Sequence, residues 1–367
     1  MIDKVKLGDV CDKASSNIAQ KDLENNEGEF PIYGASGFIK NVDFYKQEKE
    51  YIAVVKDGAG VGRIIKCPAK SSVIGTMQYI FPKENVNIEF LAFSMENMNL
   101  AKYYSGATIP HIYFKDYCNE EFLLPTISEQ KAIANVLNKI TGLINKRKEQ
   151  IRKLDELVKA RFVELFGDIK TGNYKFETRK LGEVAEVGSS HRVFTTEFVE
   201  EGIPFYRGTE IGELANGIKP ENPYRITKEH YDRLSCDETK PKIGDLLMPS
   251  ICNKGQVWMV DIDEPFYYKD GRVLCISPNR KLFNCKYLEQ FMREKTLVEY
   301  PKLGSGSTFA EFKIFLLKDI DILIPPIELQ NQFADFVEQT DKSKLEVQKS
   351  LEKLELLKKA LMQKYFG

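Results

Sequence analysis

A chain of 367 residues is long enough for two cores, each within the usual size of a domain. Its formal net charge of −1 excludes a domain that holds nucleic acid by a uniformly basic surface; either basic residues cluster on one face or partners supply much of the phosphate contact. No stretch approaches the apolar length of a membrane-spanning helix, no signal-peptide pattern opens the chain, and seven cysteines without metal-ligand spacing point to reduced thiols, so a cytoplasmic protein that touches no membrane is expected.

In chain order, the first clear element is Tyr51–Val55, a β-rich run ended by the turn signal Lys56-Asp57-Gly58. The following Gly58-Ala59-Gly60-Val61-Gly62-Arg63 lacks both the G-x-G-x-x-G spacing and the Lys-Ser/Thr pair of a phosphate loop, so it reads as a turn presenting Lys56 and Arg63. Leu124-Pro125-Thr126-Ile127, with Gln130, leads into a helical pattern over 128–166, because proline near a helix start fixes φ without removing a needed hydrogen bond. Beyond it, residues 245–248 and 257–260 are strand-like, and Val273-Leu274-Cys275-Ile276 follows the tight-turn signal Asp270-Gly271. Phe30, Tyr33, Phe38, Phe205 and Tyr206 are expected to contribute to the cores from loops. A second helical pattern, over 328–366, is introduced by Ile324-Pro325-Pro326-Ile327 with Gln330.

The two helices lie 200 residues apart and share one frame. Ile133, Leu137, Ile140, Ile144, Arg147, Ile151, Leu154, Val158, Arg161 and Leu165 alternate in steps of four and three, which is a coiled-coil heptad. Adding 200 gives Phe333, Val337, Thr340, Lys344, Val347, Leu351, Leu354, Lys358, Leu361 and Tyr365, with the same steps and most of the apolar character. Both helices end in Phe-Gly, at Gly167 and Gly367, where glycine suits the residue after a helix. Ser105-Gly106-Ala107-Thr108 matches Ser305-Gly306-Ser307-Thr308 at the same offset. Leu7-Gly8-Asp9-Val10 and Leu181-Gly182-Glu183-Val184 lie 174 apart, so the second globular part is 26 residues longer. The map is therefore a globular unit over 1–125, a helix over 126–167, a globular unit over 168–325 and a helix over 326–367. Antiparallel helices, each of about 57 Å at about 1.5 Å per residue, would join two mixed α and β domains in a pseudo-twofold repeat of α+β class.

Catalytic signals are weak. Glu221-Asn222-Pro223-Tyr224 is similar to the Asn-Pro-Pro-Tyr loop with which amino-methyltransferases hold a flipped base, but the second proline and a glycine-rich cofactor strand are missing. The three histidines, His111, His191 and His230, and the scattered acids form neither a triad nor a metal cluster. No catalytic residue, metal site or cofactor is expected in this chain.

The duplicated unit-plus-helix plan, the Leu-Gly-Asp/Glu-Val heads, Gly106-Ala107-Thr108-Ile109-Pro110-His111, Gly304-Ser305-Gly306-Ser307-Thr308 and the proline-led helices with Gln130 and Gln330 together resemble the specificity subunit of type I restriction-modification enzymes. The resemblance covers essentially the whole chain. It implies that each globular unit is a target recognition domain reading one half of a bipartite site in double-stranded DNA, and that the helices are the spacer. Implied partners are two modification subunits carrying S-adenosylmethionine and, when bound, restriction subunits that hydrolyse ATP.

Recognition residues do not transfer from such a family, because target domains diverge with the sequence they read, so chemistry must rank them. Direct readout needs polar side chains that reach base edges in the major groove. The candidates are Tyr33, Ser36, Lys56, Arg63, Thr108 and His111 in the first unit, and Ser190, His191, Arg192, Arg207, Thr209, Asn253, Lys254, Ser307 and Thr308 in the second. Two other readings compete: a protein-binding coiled-coil adaptor, favoured by the charge, and an autonomous methyltransferase, opposed by the missing cofactor motifs.

Overall fold

The duplication is visible strand by strand in the computed structural model, which describes residues 3–106, 109–235, 239–303 and 310–367. The chain divides into one unit of Met1–Gln150 with Val347–Gly367 and another of Ile151–Glu346, so each long helix gives one part to each unit.

Unit 1 begins with β1 (Asp3–Lys6), the one-turn α1 (Leu7–Val10) and β2 (Cys11–Ser15). It continues through β3 (Phe30–Gly34), β4 (Gly37–Val42), β5 (Tyr51–Val55), β6 (Ile64–Cys67), β7 (Ser72–Val73), β8 (Met77–Pro82), α2 (Ile88–Asn97), α3 (Phe114–Tyr117) and β9 (Glu121–Leu124) to the start of α4 (Ile127–Phe166). Unit 2 takes the end of α4, a small ladder of β10 (Gly167–Asp168) and β11 (Asn173–Tyr174), then β12 (Thr178–Lys180), α5 (Leu181–Val184) and β13 (Ala185–Gly188). Next come β14 (Ile203–Tyr206), α6 (Gly208–Leu214), β15 (Tyr224–Ile226), α7 (Lys228–Leu234), β16 (Leu246–Pro249), β17 (Trp258–Met259), β18 (Tyr267–Tyr268) and β19 (Val273–Pro278). The unit closes with α8 (Cys285–Glu299), α9 (Ile314–Lys318), β20 (Asp321–Leu323) and the first part of α10 (Ile327–Phe366).

Three sheets recur in the same order. A four-stranded sheet runs β2-β8-β5-β6 in unit 1 and β13-β19-β16-β17 in unit 2, a three-stranded sheet runs β4-β3-β7 and β15-β14-β18, and a pair is formed by β1-β9 and β12-β20. In both three-stranded sheets the central strand has one antiparallel and one parallel neighbour. Strand β5 is apolar throughout because both its faces are covered: Ile52 and Val54 join the cluster around Phe90, while Tyr51, Ala53 and Val55 join the one around Tyr79. Phe30, Tyr33 and Phe38 lie on β3 and β4, and Phe205 and Tyr206 on β14, rather than in loops. Pro31 and Pro204 disguise these short strands, since proline inside an apolar run argues against a strand from sequence alone.

The matching heads do matching work. Leu7 and Leu181 are fully buried. A Cβ on Gly8 would stand 3.2 Å from that of Cys118, and one on Gly182 would stand 3.0 Å from that of Lys318, so each glycine permits close approach to residues that are themselves 200 apart. The extra length of unit 2 flanks β15. Residues 207–223 join β14 to β15 where Ala35-Ser36 suffices between β3 and β4, and residues 227–245 precede β16 where 43–50 precede β5.

Thr126 and Glu129 form a capping box at the start of α4: the Thr126 amide and hydroxyl donate to Glu129 Oε2 at 2.9 and 2.7 Å, and the Glu129 amide donates to Thr126 Oγ1. Within each unit the helix segments run antiparallel. In unit 1 Lys148 pairs with Glu355 at 2.9 Å, and Phe366 packs 5.3 Å from Phe90. In unit 2 Lys344 pairs with Asp155 at 2.6 Å, and Phe162 and Phe166 pack on Phe333. Leu137, Ile140, Ile144 and Leu351 in unit 1, and Phe333 and Val337 in unit 2, are buried. Ile133, Ile151, Leu154, Val158, Val347, Leu354 and Leu361 are partly buried.

Candidate nucleic-acid interface

Four of the first unit's candidates gather where β5 ends. Lys56 follows β5 directly, and its carbonyl accepts the Ile112 amide at 2.9 Å. The Gly58 amide donates to the Pro110 carbonyl at 2.9 Å, which ties the glycine turn to the His111 loop. Asp57 then bridges two cations or donors, Lys56 Nζ at 2.9 Å and His111 Nδ1. The His111 ring packs 4.0 Å from that of Tyr113. Arg63 Nη1 donates to the Ala35 carbonyl at 2.7 Å, bringing the guanidinium beside the exposed Ser36. Gly62 has φ +82°, and a Cβ there would overlap the backbone of Ala101, so only glycine lets this turn lie against its neighbour. Ser36, Asp57, Gly60, Arg63 and Thr76 line one cleft. Tyr33 stands apart on β3, half-buried and edge-on to Phe38 at 6.0 Å.

Unit 2 uses the same frame with different chemistry. Ser250 occupies the place of Lys56, and its carbonyl accepts the Phe312 amide at 2.7 Å, as that of Lys56 accepts Ile112. Where Asp57 meets His111, unit 2 has Arg272 paired with Glu311 at 2.6 Å, and Lys313 also contacts Glu311. Asp57, Arg272 and Glu311 were not foreseen; the signal was there in the 200-residue offset between His111 and Glu311. Glu311 lies below the ordinary carboxylate value, chiefly because Lys313 hydrogen-bonds to it, with Arg272 adding to the effect and burial opposing it.

The remaining candidates of unit 2 fall into separate groups. The Ser190 hydroxyl is committed to the Tyr268 carbonyl at 2.6 Å, the bond that Ser16 makes to Val73 in unit 1 at 2.5 Å, so this serine holds the frame. The His191 amide donates to the Tyr267 hydroxyl at 2.9 Å, and the exposed Arg192 reaches Asp270 at 3.4 Å. Arg207 caps α6, its side chain paired with Glu210 and lying 4.6 Å over the Tyr224 ring. Thr209 is exposed on the first turn of α6, a helical rather than a loop position. Asn253 and Lys254 sit on the turn after β16, where Lys254 lines a cavity with Asp155, Lys159 and Lys344 of the long helices. Thr108, Ser307 and Thr308 lie outside the described residues.

Among the described residues, no group of three or more His, Cys, Asp and Glu is placed to hold a metal ion, and no helix is long and apolar enough to cross a membrane. Burial pushes the thiols of Cys11, Cys67 and Cys275 up to about 12, so they stay protonated and unreactive at neutral pH. The arrangement is thus a frame of buried strands whose strand-end loops carry charged and hydrogen-bonding groups.

Comparison with known proteins agrees with this duplicated frame. The family model described as type I restriction modification DNA specificity domain matches residues 2–153 and again residues 173–356. The chain is 26% identical over 352 residues to the type I restriction enzyme MjaVIII specificity subunit of Methanocaldococcus jannaschii, covering 89% of this chain and 81% of that protein. It is 23% identical over 309 residues to the MjaIX specificity subunit of the same organism, covering 78% and 69% respectively. The crystal structure of the type I restriction-modification S subunit from M. genitalium superposes with a TM-score of 0.63 at 16% identity, covering 100% of this chain and 96% of that one. The chain belongs to the family of type I restriction-modification specificity subunits.

Proposed function

We propose that this chain is the non-catalytic DNA-reading subunit of a type I modification complex. Each unit reads one half of a bipartite site in double-stranded DNA, while the paired helices set the half-site spacing and dock two modification subunits. S-adenosylmethionine, and ATP where restriction subunits join, would be bound by those partners. The observation that carries this reading is one strand order used twice with different strand-end groups: Asp57 and His111 in one unit, Arg272 and Glu311 in the other, and an insertion around β15 in the second alone. A constant frame with exchanged loops is what two readers of different sequences require.

The helices offer apolar surface for docking. Val136 and Leu143 on the α4 segment of unit 1 are 40% and 45% exposed, and Leu356 and Leu357 on α10 are exposed as well. Val136 and Leu143, seven residues apart, share one face of α4, and this is the face proposed for docking. Co-expression with a modification subunit, followed by methylome sequencing, tests the proposal. A split methylated site dependent on both chains is expected; methyl transfer by the isolated chain, or failure of any modification subunit to associate, would refute it.

A further inference from the structure

Arg207 is an exposed arginine held along one edge and over one face. Its Nε donates to Glu210 Oε2 at 3.2 Å and its Nη2 to Oε1 at 2.6 Å. Glu210 cannot swing away, because its side chain is 7% exposed and its Oε2 also accepts the Arg207 amide at 2.8 Å. The guanidinium lies over Tyr224, and the Tyr224 ring is in turn stacked on Phe198 at 4.6 Å with 14° between planes. These contacts occupy one edge of the guanidinium. The other edge, Nη1 with the second hydrogen of Nη2, has no hydrogen-bond partner among the described residues, and the side chain is 43% exposed.

Two parallel, coplanar donors are the geometry that meets O6 and N7 of guanine in the major groove. Phosphate contact is the poorer use of this group, since Glu210 already neutralises its charge and so removes much of the gain from counterion release. A carboxylate partner leaves the direction of the free donors intact. Position supports the same use: Arg207 opens the 207–223 segment, where unit 1 has only the Ala35-Ser36 turn.

We propose that Arg207 reads a guanine in the half-site of unit 2, with Glu210 and Tyr224 as positioning residues that hold the guanidinium in its plane. This rests on the reading of unit 2 as a DNA reader. The test uses the full chain assembled with its modification subunit, with methylome sequencing and binding to duplexes that differ at one base pair. Wild type should show a G·C pair in the second half-site. Arg207→Ala and Arg207→Gln should accept other pairs at that position, with discrimination falling about tenfold or more, while the first half-site stays unchanged. Glu210→Gln should relax the same position alone, and Tyr224→Phe, which keeps the ring face, should retain it. An unchanged preference at every position in folded Arg207 variants, or a second half-site without G·C, overturns the assignment. Should both Arg207 variants fail to fold, Glu210→Gln decides: relaxation at that one pair supports the assignment and unchanged preference overturns it. A wild-type complex that methylates no split site would instead overturn the DNA-reading function itself.

Discussion

Gln130 and Gln330, 200 residues apart, make the same three hydrogen bonds. Gln130 Nε2 donates to the carbonyls of Pro125 and Asn85 at 2.9 and 3.1 Å, and its Oε1 accepts the Asn87 amide at 2.8 Å. Gln330 Nε2 donates to the carbonyls of Pro325 and Leu282 at 2.8 and 2.9 Å, and its Oε1 accepts the Asn284 amide at 2.9 Å. Asn87 and Asn284 cap α2 and α8, so each glutamine ties the start of a long helix to the start of its unit's packing helix. Both glutamines are buried.

Replacing either by leucine keeps the volume but orphans two carbonyls and one amide. Since an unsatisfied buried group costs about 1–3 kcal/mol, Gln130→Leu and Gln330→Leu should each destabilise the fold by about 3 kcal/mol. Urea unfolding of the full chain measures this. A midpoint within error of wild type for either variant would show that water replaces the lost bonds.

The glutamines show what repetition makes legible. A lone buried glutamine carries no signal, but two at one offset beside Pro125 and Pro325 mark helix starts, and the heptad frame was readable because a long helix exposes its period many times over. The strand-end loops were harder. Ser190 looked like a base contact, whereas its hydroxyl repeats the bond of Ser16 at the 174-residue offset of the unit heads. Glu210 and Tyr224 gave no warning, because their partnership with Arg207 arises from a short helix and a neighbouring strand brought together by an insertion that unit 1 lacks. His111 stands among the polar candidates for base readout, but the partner that holds it, Asp57, lies 54 residues earlier and is found only in the fold.

Leu143 tests the docking surface. It sits on the exposed side of α4, 45% accessible, so Leu143→Asp should change unfolding stability by no more than about 0.5 kcal/mol. Association with the modification subunit should weaken sharply, because a carboxylate would have to be desolvated at an apolar contact. Calorimetric titration of the two subunits reads this directly; undiminished affinity would remove this face of α4 from the docking surface.

Acid should release the grip on Arg207. Burial pushes Glu210 up, but hydrogen bonds from the Arg207 side chain and amide outweigh it and hold the carboxyl below its ordinary 4.5. A depressed folded value contributes stability above the unfolded value, and that contribution is lost as pH falls through the folded one. The stability difference between wild type and Glu210→Gln should therefore be full at pH 7, persist to about 4.5 and shrink below it. A difference that stays constant into that acid range would mean that the carboxylate charge contributes nothing to the pair.

The helices can be shortened without leaving their frame. Deleting residues 147–153 and 347–353 removes one heptad from each, so Ile144 is followed at the proper step by Leu154, and Lys344 by Leu354. The cut crosses the boundary at 150/151 in α4 and begins at the one at 346/347 in α10; it takes out the buried Leu351 together with the heptad facing it, and the Lys148–Glu355 pair is lost. An exposed pair of this kind contributes at most about 1 kcal/mol, so the variant should fold. Each helix becomes shorter by about 10.5 Å at about 1.5 Å per residue. At about 3.4 Å per base pair, helices that set the half-site spacing would bring the half-sites about three base pairs closer. Three base pairs also turn the groove by roughly a third of a revolution, since a turn takes about 10.5. Methylome sequencing of the assembled variant should show the same half-sites around a shorter spacer, or no methylation if the rotation is not accommodated. Methylation of the original site with its spacer unchanged would show that the helices do not measure the distance.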